Sequence, residues 1–378
     1  MAQVHEQMIK ISVLSTLLVL SFQLIPTAFS HTKPIPSDSS KLKSWIGQNI
    51  REFLERKSQL TRGKNATAVD EFLARAEDGF RVITVNKHGG RGDFTTVSAA
   101  VKSIPSGNKR RVIVKIGGGE YWEKITIDSS KKFITLYGDP YDMPRIVYNG
   151  TAFEYGTVYS ATVAVESDYF MAVNVAFVNS APMPDGKRVD AQAVAMRISG
   201  DKAAFHNCKF IGYQDTLCDD RGRHFFRDCY IQGTVDFIFG NGKSLYLNTT
   251  IKSVAEGMGV ITAQARENVT DKSGFAFVHC NITGTGDTYL GRAWKERPRV
   301  VFAYTYMGTL INSEGWSDGS HPERANTVYY GEYKCMGPGA TSSGRVRFAK
   351  ILSKLEAMPF LSMTYLNGNK WLLPPPKL

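Results

Sequence analysis

The chain of 378 residues has few cysteines. Five cysteines are too few for a disulfide scaffold, and their spacing does not match a zinc site. Both a disulfide-stapled small domain and a structural zinc module are therefore excluded. Because the number of cysteines is odd, at least one thiol must remain unpaired within the chain.

Long apolar runs are missing after the first thirty residues, so no later segment is expected to cross a bilayer. Near the N-terminus, Lys10 precedes an apolar run from Ile11 to Ile25, and small residues follow up to Ser30. This layout predicts a secretory signal peptide over residues 1–30, because fifteen mostly apolar residues are short for the alternative, a membrane anchor. Five Asn-x-Ser/Thr triplets agree with export, at Asn65, Asn149, Asn248, Asn268 and Asn281.

Acidic residues are outnumbered by basic ones, 35 to 46, which gives a formal net charge of +11. A charge of this size on a secreted protein favours an anionic partner. Nucleic acid is not expected outside the cell, and the basic residues are scattered through the sequence. An acidic polysaccharide fits better, although the charge also agrees with a role in solubility alone.

Two kinds of pattern divide the chain. From Lys41 to Glu77 the apolar residues follow a helical period, and Gly63 and Asn65 are expected to split this stretch into two helices. From Phe80 onward, short β-rich runs follow one another, and a helical period returns only at about Phe348 to Met358. The predicted runs are Arg81–Val85, Val112–Ile116, Ile125–Ile127, Phe133–Tyr137 and Thr162–Val165. Many short strands at steady spacing predict an all-β domain over residues 80–378, after a helical lead-in over residues 31–79.

A repeat of about twenty residues runs through the β-rich part. In each copy a polar residue is followed, three positions later, by an apolar one: Phe177, Phe210, Ile231, Ile251 and Ile282. The central steps are 21 and 20 residues, and longer outer steps leave room for inserted loops. This period predicts the coils of a parallel β-helix, which bury their apolar faces by stacking. Cys208 and Cys229 occupy equivalent positions, so they are either one disulfide or two buried thiols.

The same period relates a set of polar residues. Asp215 and Asp236 are 21 residues apart, and Gln192 and Gln214 are 22 apart. Residues one coil apart on neighbouring strands lie about 4.8 Å from each other. The spacing therefore predicts two carboxylates and two carboxamides together on one face, although any one of them alone could be an ordinary turn residue.

This combination suits the hydrolysis of an ester. Two carboxylates at close range resist double ionisation, so one can attack a carbonyl carbon while the other delivers a proton to the leaving alcohol. The amide N–H groups of Gln192 and Gln214 can stabilise the oxyanion that develops. Arg292 is the candidate for holding one aspartate ionised, because a guanidinium can bind a carboxylate at two points.

Five segments in fixed order resemble the motifs of plant pectin methylesterases: GEYWEKITI (Gly119–Ile127), QAVAM (Gln192–Met196), YQDTL (Tyr213–Leu217), GTVDFIFG (Gly233–Gly240) and LGRAW (Leu290–Trp294). With TVYYGEY (Thr327–Tyr333), the resemblance runs from about Phe80 to the C-terminus. It implies a right-handed, single-stranded parallel β-helix of the pectin-lyase-like kind. The inhibitor-like pro-domain of many plant members has no counterpart in the short N-terminal region.

The resemblance also implies roles for single residues. Asp236 is expected to be the nucleophile, Asp215 the general acid and then base, Gln192 and Gln214 the oxyanion donors, and Arg292 the partner of Asp236. Trp294, Phe239 and Trp316 are expected to line the sugar cleft. The family uses no metal or organic cofactor. The expected substrate is methyl-esterified pectin in the cell wall, the expected partner a protein inhibitor of pectin methylesterases, and the expected state a monomer without nucleic-acid or membrane contacts.

Two positions depart from the family pattern. Ala293 stands where proline is usual in LGRPW, and Cys218 follows YQDTL where an aromatic residue is common. Cys218 therefore puts one sugar contact in doubt, and its thiol is expected to be open to modification.

Other proteins with a parallel β-helix would need other residues for their functions. A pectate lyase would need a calcium-binding carboxylate cluster and a basic proton abstractor, and a polygalacturonase would need carboxylates set for an inverting water. A β-helix that only binds acidic glycans would need none of these polar residues. The two glutamines beside the aspartates favour acyl chemistry over all three.

Overall fold

The structure is a computed structural model that describes residues 33–61, 69–90 and 92–378. The predicted signal peptide, the sequon at Asn65 and the predicted break at Gly63 lie outside the described residues. No described helix is long and apolar enough to cross a membrane.

Helices are short except for the first. Their bounds are α1 Leu42–Thr61, α2 Glu71–Ala76, α3 Val97–Lys102, α4 Ala152–Tyr155, α5 Lys354–Ala357 and α6 Gly368–Trp371. The pattern predicted from Lys41 to Glu77 agrees with α1 and α2. The helical period at Phe348–Met358 was mostly misleading, because only α5 and a following 3₁₀ turn are helical there, and Ala349–Ile351 is a strand.

Twenty-five strands follow one another through the described residues. They are β1 Phe80–Val85, β2 Arg111–Ile116, β3 Glu120–Trp122, β4 Ile125–Ile127, β5 Ile134–Tyr137, β6 Arg145–Tyr148, β7 Val163–Val165, β8 Met171–Val173, β9 Ala176–Asn179, β10 Met196–Ile198, β11 Ala203–His206, β12 Lys209–Ile211, β13 Leu217–Asp219, β14 Arg223–Arg227, β15 Tyr230–Gly233, β16 Ile238–Gly240, β17 Lys243–Leu247, β18 Thr250–Gln264, β19 Gly274–Val278, β20 Asn281–Arg292, β21 Arg299–Ala303, β22 Tyr306–Met307, β23 Trp316–Ser317, β24 Tyr329–Tyr333 and β25 Ala349–Ile351. All five β-rich runs predicted from the sequence coincide with strands, to within one residue at each end.

The strands form the three faces of a right-handed parallel β-helix. Face 1 is an eleven-stranded sheet in the order β1-β2-β5-β8-β11-β14-β17-β19-β21-β24-β25. Faces 2 and 3 are the limbs β3-β6-β9-β12-β15 and β4-β7-β10-β13-β16 of a second sheet, and the long strands β18 and β20 run through both. The chain passes from face 1 to face 2 to face 3 in each coil, and every pairing is parallel, which confirms the predicted fold.

The predicted repeat positions are direct neighbours in face 2. Phe177 pairs with Phe210, Phe210 with Ile231, Ile231 with Ile251, and Ile251 with Ile282. All five side chains are fully buried, because each coil covers the apolar face of the next. Inside face 1 an aromatic ladder continues the core: the rings of Phe205, Phe226, Tyr246, Phe277 and Phe302 stack at centroid distances of 4.8, 4.5, 4.4 and 4.5 Å.

The polar position of each repeat makes the turn between faces 1 and 2. Its residue has a left-handed backbone in seven coils: Asn174, Asn207, Asp228, Asn248, His279, Tyr304 and Lys334. Asparagine and aspartate tolerate this conformation better than most residues. The stack also bonds to itself, since Nδ2 of Asn207 donates to Oδ1 of Asn174 at 2.8 Å.

The lead-in and the C-terminal segment together cover the outside of face 1. Trp45 of α1 and Leu73 of α2 are buried in one apolar cluster with Leu245 and Ala276 of face 1. The amide of Ile35 donates to the carbonyl of Leu361 at 2.7 Å, which ties the two segments to each other. Face 3 carries the candidate site.

Candidate functional site

Asp215 and Asp236 lie one above the other at the turn from face 2 to face 3. Leu217 pairs with Ile238, and the amide of Asp215 donates to the carbonyl of Val235 at 3.1 Å. Both aspartates have a left-handed backbone, with φ of 63° and 52°. The same turn is therefore repeated in successive coils, and the predicted stacking of the two carboxyl groups is confirmed.

Arg292, at the end of β20, binds the carboxylate of Asp236. Its Nε lies 2.7 Å from Oδ1 and 3.0 Å from Oδ2, and Nη2 also donates to Oδ2. Asp236 is buried and Arg292 is one-third exposed, so the guanidinium closes one side of the carboxylate. A two-point contact of this kind fixes the orientation of the carboxylate as well as its charge.

Asp215 has the opposite environment. Its side chain is buried and accepts no hydrogen bond within the described part of the chain. Burial, and next the carboxylate of Asp236, raise the pKa of Asp215 well above its ordinary value, against a smaller opposing effect of Arg292. The two stacked carboxyl groups thus differ: Arg292 binds Asp236 at two points, whereas Asp215 has a raised pKa and accepts no hydrogen bond within the described residues.

Gln192 and Gln214 present their carboxamides to the same place. The amide of Ala193 donates to the carbonyl of Gln214 at 3.2 Å, so Gln192 sits one residue out of register with Gln214, as the 22-residue spacing requires. Oε1 of Gln192 is buried without a hydrogen-bond partner, and no side-chain bond holds Gln214 among the described residues. Both carboxamides are therefore available to a bound molecule.

These groups line one open cavity of about 250 Å³ on face 3. Its lining consists of Thr157, Val158, Gln192, Gln214, Asp215, Asp236, Phe239, Ala263, Arg292 and Trp294. Phe239 and Trp294 meet edge to face with their ring centroids 6.1 Å apart, and the ring of Trp294 is 37% exposed. Of the eight site residues predicted from the sequence, seven come together here.

The eighth, Trp316, does not reach the cavity, and its prediction as a cleft residue was wrong. It is fully buried, stacks on Tyr330 at 4.3 Å and donates from Nε1 to Glu332 at 3.1 Å. The reason is strand parity. In β23, Ser317 pairs with Arg292, so Ser317 takes the outward position and Trp316 points into the core.

The cysteines decide between two open alternatives and contradict one expectation. All five are free, so the alternative of two buried thiols holds for Cys208 and Cys229, although they are stacked as predicted. Cys218 is 1% exposed, in an apolar cluster with Phe239 and Ala263. Because burial raises the pKa of its thiol well above the ordinary value, Cys218 is protonated and closed to modification in the folded protein.

Three lining residues were missed by the sequence reasoning. Ala263 pairs with Phe239, but 24 residues separate them because β18 has an irregularity between Val254 and Met258. Thr157 and Val158 lie in a short 3₁₀ turn inside the long connection from β6 to β7, which carries no repeat signal. The excess length of that connection was the one available hint.

No group of three or more histidine, cysteine or acidic side chains suited to a metal ion occurs among the described residues. The site offers instead a carboxylate bound by an arginine, a second carboxyl group whose pKa is raised, and two carboxamides around a cavity with an aromatic wall. This set can attack a carbonyl carbon, protonate a leaving group and hold an oxyanion.

Comparison with known proteins agrees with this chemistry. A family model described as Pectinesterase matches residues 82–369. The chain is 49% identical over 354 residues to Pectinesterase 2 from Olea europaea, covering 93% of this chain and 94% of that protein. The solved pectin methylesterase from carrot superposes with a TM-score of 0.72 at 34% identity, over 77% of this chain and 94% of that one.

A pectin methylesterase solved in complex with a hexasaccharide has a TM-score of 0.65 at 25% identity, covering 77% of this chain and 98% of that one. The chain therefore belongs to the pectinesterase family and is a carboxylic ester hydrolase.

Proposed function

We propose that the chain hydrolyses the methyl esters on the galacturonate C6 carboxyl of pectin, with Asp236 as the nucleophile and Asp215 as the acid and base. The observation that carries this proposal is the unequal pair of stacked aspartates in one cavity. Arg292 binds the Asp236 carboxylate at two points, while burial and the neighbouring Asp236 raise the pKa of Asp215, which has no hydrogen-bond partner in the described chain.

In the first half of the reaction, an oxygen of Asp236 attacks the C6 carbonyl carbon. The carbonyl oxygen becomes an oxyanion, which accepts N–H bonds from Gln192 and Gln214. When the oxyanion collapses, the bond to the methoxy oxygen breaks and Asp215 gives its proton to that oxygen. Methanol leaves, and an acyl-enzyme joins the C6 carbonyl to Asp236.

In the second half, Asp215 is a carboxylate and takes a proton from water. The hydroxide attacks the C6 carbonyl, a second oxyanion uses the same amide donors, and the bond to Asp236 breaks. Asp215 is protonated again and Asp236 is a carboxylate bound to Arg292. One ester and one water have become one galacturonic acid and one methanol, with no other reactant.

The two glutamines suit the oxyanion because they add N–H donors without adding charge. One such donor is worth roughly 2.7–4 kcal/mol of transition-state stabilisation in other esterolytic sites. The role is supported by the position of both side chains on the cavity lining, where no hydrogen bond within the described residues occupies their amide N–H groups.

Trp294 and Phe239 form the aromatic wall against which pyranose rings would pack. A relative solved with a hexasaccharide supports a polymeric substrate, methyl-esterified pectin. The expected place of action is the extracellular cell wall, after loss of residues 1–30. The proposed oligomeric state is a monomer. The proposed protein partner is an inhibitor of pectin methylesterases.

The proposal is tested by incubating the protein with highly methylated pectin and following methanol, chain length and unsaturated ends together. Methanol without chain scission is the expected result. Scission or unsaturated ends without methanol would instead identify a polygalacturonase or a lyase. Binding without any reaction would identify a glycan-binding protein.

A further inference from the structure

A second cavity lies on the outside of face 1, between α1, the sheet and the C-terminal segment, whereas the candidate site lies on face 3. Its volume is about 40 Å³. By the same measure a single water molecule needs about 10–15 Å³, so the cavity has room for a small ion and none for a sugar ring. Most of its lining is apolar, with Ile50 and Phe53 from α1, Phe225 from face 1 and Leu372 from the C-terminal segment.

Two basic side chains reach this cavity from face 1. His206 pairs with Val173 on one side and with Arg227 on the other, and Arg227 pairs with Leu247 in turn. Residues paired in this way lie about 4.8 Å apart and point to the same side of the sheet. Val173 and Leu247 are buried apolar residues, whereas the two positions between them carry an imidazole and a guanidinium. The basic pair is therefore an exception within an apolar column.

His206 lacks a hydrogen-bond partner within the described chain. Its side chain is 3% exposed, and neither Nδ1 nor Nε2 contacts a donor or an acceptor there. Arg56 of α1 also lines the cavity, and its Nε is likewise buried without a partner among the described residues. Its Nη2 donates to the carbonyl of Asn369 at 3.1 Å, which holds the guanidinium at the cavity wall. Unsatisfied groups cost stability, so two of them around one cavity indicate a ligand that accepts hydrogen bonds.

The charges around the cavity have one sign. Arg56 and Arg227 line it, and no acidic residue does among those that the structure describes. The acids that contact the two arginines lie outside the lining: Glu52 is 3.9 Å from Nη1 of Arg56, and Asp228 accepts from Nε of Arg227 at 3.0 Å. Burial, and next Arg227, lower the pKa of His206 well below its ordinary value. An anion would offset the repulsion between Arg227 and the imidazole and would accept the unused N–H groups.

We propose that this cavity is a binding site for a small inorganic anion such as chloride. The Nε–H of Arg56, an N–H of His206 and the guanidinium of Arg227 bind the anion. These groups belong to α1 and to two successive coils of face 1, so the bound anion ties the helical lead-in to the β-helix. The site is independent of the proposed function, because it lies on another face and its test does not depend on turnover.

Size and charge distinguish this ligand from the alternatives. A galacturonate carboxylate would have to enter with its ring, for which the cavity is too small. A metal cation would be repelled by Arg56 and Arg227. A water molecule can bond to His206, but it does not offset the charge of the two arginines.

The test compares the unsubstituted full chain with two cavity variants and one control. Arg56→Gln removes a charged donor from the cavity, and Arg51→Gln is its control, because Arg51 is an exposed arginine of the same helix outside the lining. His206→Phe removes both ring nitrogens and keeps an aromatic ring beside Phe225, whose ring centroid lies 6.0 Å from that of His206. If His206→Phe does not fold, the comparison of Arg56→Gln with Arg51→Gln decides alone.

The first measurement is the melting temperature in about 0.2 M sodium chloride and in sodium gluconate of the same ionic strength, whose anion is too large for the cavity. The value in chloride minus the value in gluconate should be about 2 °C higher for the unsubstituted protein and Arg51→Gln than for the two cavity variants. An equal difference in all four proteins would overturn the proposal, and so would an equal loss in Arg51→Gln and Arg56→Gln.

The second measurement locates the anion. Crystals grown with bromide in place of chloride should show an anomalous peak inside the cavity, within hydrogen-bond distance of Nε of Arg56 and a ring nitrogen of His206. Electron density for water alone at that place would contradict the proposal. A bromide peak without the anion-specific difference in melting temperature would mean an adventitious ion only, and would equally overturn it.

Discussion

Two buried polar clusters lie near the two ends of β13, and they differ in whether their polar side chains have hydrogen-bond partners within the protein. Asp215 precedes the strand and belongs to the cavity set. Asp219 ends the strand and belongs to a network with His224 and Tyr246, whose three side chains are fully buried. The polar atoms of the Asp219 network bond to one another and to a backbone carbonyl. In the cavity, by contrast, the carboxyl group of Asp215 has no hydrogen-bond partner among the described residues, and the amides of the two glutamines are available as donors.

In the network, every polar atom has a partner. Nδ1 of His224 faces Oδ1 of Asp219, and Nε2 lies 2.9 Å from the carbonyl of Gly200, while the hydroxyl of Tyr246 donates to Oδ2 of Asp219 at 2.6 Å. Both ring nitrogens face oxygen atoms that can accept a hydrogen bond, an arrangement that favours the doubly protonated imidazole. Burial alone would lower the pKa of His224, but the charge and hydrogen bond of Asp219 outweigh it and raise the pKa.

The presence or absence of hydrogen-bond partners within the protein distinguishes a polar cluster that stabilises the fold from one that is available to bind a ligand. A buried polar group without a partner costs stability, so one that also faces an open cavity is a candidate for binding a ligand. Gln192 and Asp215 meet that description, and His224 and Asp219 do not. The substitutions below probe this difference, in order of decreasing expected effect on turnover.

Asp236→Ala should lower methanol release by about 10³-fold or more, because it removes the proposed nucleophile. The melting temperature should change little, since a cleft side chain contributes little packing. Methanol release above a few per cent of the unsubstituted rate would break the nucleophile assignment. Circular dichroism of the purified variant checks that the fold is intact.

Arg292→Lys should lower kcat by about 10²-fold, because an ammonium group cannot make the two-point contact that orients Asp236. Its matched control is Arg324→Lys, on an arginine that donates to the carbonyls of Ala293 and Trp294 and lies outside the cavity lining. A near-normal rate for Arg292→Lys would assign Arg292 another role.

Gln192→Leu should lower kcat by roughly 10- to 100-fold, below the full effect of an oxyanion donor because Gln214 remains. Since the carboxamide has no internal partner, the melting temperature should hold or rise. A loss confined to KM, with kcat unchanged, would show that Gln192 binds the ground state only.

His224→Gln should leave turnover per folded molecule unchanged and lower stability by about 3–5 kcal/mol, because it strands the buried Asp219 carboxylate. The folded pKa of His224 is raised above its unfolded value of about 6.5. The stabilisation is therefore complete below about pH 6.5 and is lost as pH rises through the folded pKa. Urea unfolding at several pH values measures it, and a pH-independent difference would contradict the charged pair.

Much of this architecture could be predicted from the sequence, because a coil that stacks on its neighbour must repeat its apolar residue at a fixed spacing. Phe177 through Ile282 follow that rule, and Asp215 and Asp236 follow it for polar groups. The rule fails where a strand carries extra residues. For this reason the spacing did not identify Ala263, which pairs with Phe239 but follows it by 24 residues. The family resemblance, and not this rule, assigned Trp316 to the cleft, and its inward position became visible only from the pairing of Ser317 with Arg292.

Which aspartate acts as the acid was predicted from the family resemblance and could not be predicted from the spacing. The spacing showed two close carboxyl groups, but which of them keeps the proton depends on where Arg292 folds back, 56 residues along the chain from Asp236.

The most direct test of the difference between the two clusters is infrared difference spectroscopy of the protonated carboxylic acid band near neutral pH. The unsubstituted protein should show a band that disappears in Asp215→Asn and persists in Asp219→Asn. Absence of the band, or its loss in Asp219→Asn alone, would contradict the assignment of the stored proton to Asp215.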